Sequence, residues 1–62
     1  MCEANVYLMR NGNEEIIMES VDILRPEQDG IYLLNIFGDQ LKIKARIKEV
    51  HLVNHRILLV ED

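Results

Sequence analysis

The 62-residue sequence has one cysteine, Cys2, no tryptophan and no threonine. A single cysteine excludes an intrachain disulfide. A chain this short hides only about 60% of the surface its unfolded form exposes, so its stability calls for a metal, a second subunit or both. With threonine absent and Ser20 the only serine, a hydroxyl-based catalytic triad is improbable. The three glycines, Gly12, Gly30 and Gly38, stand in separate turns and form no phosphate-cradling loop. The aromatics are only Tyr7, Tyr32 and Phe37, a weak platform for stacking nucleic-acid bases. Basic residues are also scarce. Seven against eleven acids leave a net charge of −4, which argues against nonspecific phosphate binding. The longest apolar runs, such as Ile57 to Val60, are too short to span a bilayer. No charged-then-apolar leader opens the sequence, so the chain is expected to be cytoplasmic and unprocessed apart from loss of Met1. At 48% apolar it is no disordered segment.

What the sequence does have is alternation. Ala4 to Arg10 places Ala4, Val6 and Leu8 on one face and Asn5, Tyr7 and Met9 on the other. Asn11-Gly12 follows, a strong hairpin signal because both residues tolerate positive φ. Glu14 to Glu19 reads as the return strand, with Ile16 and Met18 sharing a face. Val21 to Arg25 reads as a third segment stopped by Pro26. Asp29-Gly30 makes a turn into a strand from Ile31 to Ile36, closed by Gly38-Asp39. Leu41, Ile43, Ala45 and Ile47 then alternate with Lys42, Lys44, Arg46 and Lys48, which predicts one half-buried strand. The phase breaks at Glu49, where a bulge or short helical turn is expected. A last hairpin sets His51 to Val53 against Ile57 to Val60 around Asn54-His55. The whole predicts a single all-β domain over residues 1–62: a small antiparallel barrel, SH3-like or Sm-like, or a strongly bent sheet, of five to seven short strands.

Cys2 has distinctive chemistry within reach. With Met1 removed, its amine and thiolate close a five-membered chelate ring, and the Glu3 amide nitrogen can add a second. With Met1 kept, the Met1 amine joins the Cys2 amide and thiolate in a comparable fused chelate. Thiolate sulfur with nitrogen in one plane suits square-planar Ni(II), and also Cu(II). Zinc, which prefers four ligands in a tetrahedron, is poorly served by one cysteine per chain. Two copies of Cys2 on a two-fold axis could complete a site between subunits. The plainer alternative is a small buried hydrophobe or an incidental surface thiol.

His51 and His55 are spaced as a helical ligand pair, yet they fall in a hairpin, where their rings need not converge. A Cys–His catalytic pair with Cys2 is conceivable, but a domain this small leaves little room for a substrate cleft, and no enzyme is expected. The stripe of Lys42, Lys44, Arg46 and Lys48 could meet phosphates. Read structurally, it is the wet side of a half-buried strand. Glu14, Glu15 and Glu19 form an acidic patch that could pair with this stripe.

The run Met1-Cys2-Glu3-Ala4-Asn5-Val6-Tyr7-Leu8 with Asn11-Gly12, then Val21-Asp22, Arg25-Pro26, Ile36-Phe37-Gly38 and Arg46-Ile47-Lys48-Glu49, resembles the CooT family over essentially the whole chain. These are small nickel-binding accessory proteins linked to maturation of carbon monoxide dehydrogenase. The resemblance implies a cytoplasmic homodimer of small β-barrels that binds Ni(II) through Cys2 at or near the subunit interface. It carries over only Cys2 as a ligand, not His51 or His55. The other reading implied by an Sm-like fold is an RNA-binding module using the basic stripe.

Overall fold

The computed structural model describes residues 3–61. They form six strands: β1 (Ala4–Arg10), β2 (Asn13–Glu27), β3 (Gly30–Asn35), β4 (Gln40–Ile43), β5 (Ala45–His51) and β6 (Arg56–Glu61). One sheet joins them in the order β4-β3-β2-β1-β6-β5. β1 begins and ends where its alternation predicts, and it buries Val6 and Leu8 completely. Asn11 and Gly12 both take positive φ, 52° and 80°, so the tight turn into β2 follows the twist of its strands.

The two segments expected on either side of Ser20 are one 15-residue strand. It stays continuous because Ser20 takes a φ of 55°, which bends the backbone without ending the ladder. Pro26 is tolerated inside it because β1 pairs with β2 only as far as Val21; beyond that point β2 has β3 alone beside it. A second irregularity corrects the expected face. Val6 pairs with Met18 and Tyr7 with Ile16, so Ile17 is an extra residue in β2. Ile17 and Met18 both pack on the core, while Ile16 stays 44% exposed.

The single strand expected from Leu41 to Lys48 is broken at Lys44. The inward series survives the break through Leu41, Ile43 and Ala45, but Ile47 does not follow it inward. The expected bulge is present: Ile47 pairs with Leu59 and Glu49 with Leu58, leaving Lys48 as the extra residue. The core is formed by Val6, Leu8, Val21, Ile31, Leu33, Ala45 and Leu59.

Two features depart from an antiparallel barrel. β6 runs parallel to β1 while pairing antiparallel with β5. It is therefore an interior strand, and its continuous apolar run suits that place: Leu59 enters the main core, and Leu58 is buried apart from it, in register with Tyr7. The ladder also does not close. Joining its edges would require β4 to pair with β5, yet only Lys44 separates them, too little chain for a hairpin turn. The sheet instead curls until β5 contacts β3, so the strongly bent sheet is the architecture found.

Candidate functional site

Cys2, the predicted metal ligand, lies outside the described residues. The first described residues are Glu3 and Ala4. Glu3 is exposed, and Ala4 opens β1. The Asn5 N–H donates to the His55 carbonyl at 2.9 Å. The Asn5 side-chain oxygen accepts from the Ser20 N–H at 3.3 Å. The Ser20 carbonyl accepts from the Ile36 N–H at 3.0 Å. A hydrogen-bonded row thus crosses one end of the sheet, with the start of β1 held between two turns, 52–55 and 36–39.

The first turn carries the most exposed apolar side chains of the described residues, Leu52 at 79% and Val53 at 90%. Beside it is a hollow of about 180 Å³, lined by Ala4, Val50, His51, Leu52, His55, Arg56 and Ile57. Although a hairpin does not oblige the two histidines to converge, both line this hollow, together with the residue two positions from Cys2. The His51 Nε2 lies 2.8 Å from Glu49 Oε1, a carboxylate that orients the ring. Among the described residues, no three His, Cys, Asp or Glu side chains cluster as a metal site would require.

The second turn is fixed by Asn35, a buried polar residue. Its side-chain oxygen accepts from the N–H groups of Phe37 at 3.0 Å and Asp39 at 2.9 Å. Its side-chain nitrogen donates to Asp39 Oδ2 at 3.1 Å. Two backbone bonds close the loop, from the Gly38 N–H to the Asn35 carbonyl and from the Asn35 N–H to the Asp39 carbonyl. This network presents Phe37 to solvent at 74% exposure. The sequence gives no hint of that, since phenylalanine normally signals core.

The basic stripe is exposed throughout. Lys42 is held by Asp29 at 3.0 Å and Glu27 at 3.3 Å. The Lys42 hydrogen bond, followed by its charge, lowers the Asp29 pKa below the ordinary 3.8; the bonds to Asp29 and Glu27 raise that of Lys42 above 10.5. Lys48 Nζ donates to the sulfur of Met9. The acidic patch does not meet the stripe as expected. Glu15 pairs with Arg10, which also holds Glu61, and Glu14 pairs with Arg56, because β2 neighbours β1 and lies far from β5 in the sheet. A larger hollow, about 360 Å³, opens between the β2–β3 turn and β5, lined in part by Pro26, Ile31, Lys44 and Ile47.

Three comparisons bear on this arrangement. The family model described as CooT, CO dehydrogenase accessory protein, matches residues 1–60. A crystal structure assigned to CooT from Carboxydothermus hydrogenoformans is similar at a TM-score of 0.91 and 46% identity, covering 98% of each chain. No functionally curated protein matches.

Proposed function

Since the chain belongs to the CooT family of CO dehydrogenase accessory proteins, we propose that it binds Ni(II) through Cys2 and handles the metal for maturation of that enzyme. It does so as a cytoplasmic homodimer with the site at the subunit interface. Nickel here is cargo. Cys2 supplies a thiolate, and the neighbouring amine and amide nitrogens complete five-membered rings in the plane that Ni(II) favours. The observation that supports this reading most is the seating of Ala4 in an apolar hollow beside His51, His55 and the exposed Leu52–Val53 turn. Ala4, two positions from Cys2 in the sequence, thereby lies next to exposed apolar surface suited to a second subunit and beside two histidines. The RNA-binding alternative fits less well, because Lys42 of the basic stripe is already engaged by two carboxylates.

The test is a calorimetric Ni(II) titration of native and Cys2→Ser protein, with circular dichroism to verify folding. A serine hydroxyl stays protonated near neutral pH and is a poor donor. Affinity should fall by more than the roughly 10–100-fold that loss of an outer-shell partner costs. His51→Ala and His55→Ala should have smaller effects. Binding should weaken as pH falls, because protons compete for the thiolate and amine. A folded Cys2→Ser protein that held nickel as tightly as the native one would rule this site out.

A further inference from the structure

The carboxylates of the described residues fall into two groups. Glu14, Glu15, Glu27, Asp29, Glu49 and Glu61 all face an arginine, lysine or histidine. Glu3, Glu19, Asp22 and Asp39 are exposed and have no ion pair among the described residues. These four are not scattered. Val21 pairs with Ala4 on one side and Asn35 on the other, so Glu3, the Glu19–Asp22 segment and the turn bearing Asp39 lie on adjacent strands. Neighbouring strands are about 4.8 Å apart. Glu3 is therefore one strand spacing from the Glu19–Asp22 segment, and the turn bearing Phe37 and Asp39 begins at Asn35 on the other side of that segment.

We propose that the Ile36–Phe37 turn is a docking surface for a second protein, with Phe37 entering an apolar pocket rimmed by lysine and arginine. On the functional reading above, from which this inference takes its partner, that pocket belongs to CO dehydrogenase. The Asn35 network already fixes the backbone that carries Phe37, so the turn itself loses little freedom on binding, and aromatic anchors of this kind dominate interface energies. Charge selects the occupant. A two-fold contact between copies through this turn would set the four unpaired carboxylates against the same four on the partner, and such like-charge contacts are strongly disfavoured. A basic rim would instead neutralise them and speed encounter. The two turns at this end then divide the work: the Leu52–Val53 turn faces a second copy, and the Phe37 turn faces the recipient of the metal.

The experiment uses immobilised, nickel-free CO dehydrogenase and the full chain as native protein, Phe37→Ala, and the double variant Glu19→Gln/Asp22→Gln. Phe37→Ala should raise the dissociation constant about tenfold or more, chiefly by faster release. The double variant should associate more slowly and show a flatter salt dependence. Nickel titrations and the mass in solution should match the native protein in both. Native and Phe37→Ala protein binding equally would overturn the surface while leaving the enzyme as partner. No binding by the native chain would remove the enzyme and this surface together, while an intact nickel titration would leave the metal reading standing. A lower mass for Phe37→Ala would make the turn a self-association contact and also overturn the proposal.

Discussion

At Gly30 the fold has no room for even a methyl group. A Cβ built on Gly30 would lie 2.5 Å from the carbonyl oxygen of Ile43 and 3.2 Å from its carbon. Both atoms are backbone and cannot rotate aside, so β3 and the end of β4 approach this closely only with glycine. Gly30→Ala should cost about 1–3 kcal/mol, the usual penalty for overpacking, measured as a lower urea midpoint with an unchanged slope. An unaltered midpoint would mean that the Ile43–Lys44 junction yields freely. Gly12 and Gly38 have nothing within 4 Å of a built Cβ; what they supply is positive φ, 80° and 90°.

Among the elements, the edge strand β4 is the least supported by its own length, at four residues. Lys42 ties it to Glu27 and Asp29 around the β2–β3 turn. Because Asp29 has a depressed pKa in the folded chain, its contribution is present above the ordinary 3.8 and is lost as pH falls through the lower folded value. The raised Lys42 pKa adds the other limit: its contribution holds below 10.5 and fades as pH rises through the folded value. Native and Asp29→Asn proteins should therefore differ slightly in Tm near neutral pH and converge in strong acid; a gap that widened in acid would contradict this. The extent of β1 and the Asn11-Gly12 turn were legible because alternation and turn chemistry are local. The slip at Ile17 was not, because adjacent isoleucines fit either face equally well. Nor was the break at Lys44, since the inward series from Leu41 to Ala45 runs through it undisturbed. The apolar run from Ile57 to Val60 marks β6 as interior, but nothing local says that β1 is its parallel neighbour. For the site, Cys2 stands out by its chemistry alone, whereas the shared hollow of His51 and His55 emerges only once β1 lies beside β6.

For the molecule as a whole, the question is which surface stays sticky. Both sheet edges are guarded, β4 by its shortness and ion-paired Lys42, β5 by the Lys48 bulge and its charged neighbours. The Leu52–Val53 turn has no such protection, and the adjacent hollow gives a two-fold partner a place to insert it. Light scattering over a dilution series should give the mass of a dimer, and Leu52→Asp should shift it towards the monomer. A native chain that is monomeric at every concentration would refute the shared interface.

The parallel seam between β1 and β6 also governs how the protein is made. Val6 and Leu8 are buried in a core that requires Leu59, supplied by the final strand. A nascent chain still lacking β6 has neither that core nor the His55 carbonyl that anchors Asn5. Such long-range pairing slows folding. A prematurely terminated translation product therefore never assembles the full row from His55 to Ile36 that holds the start of β1.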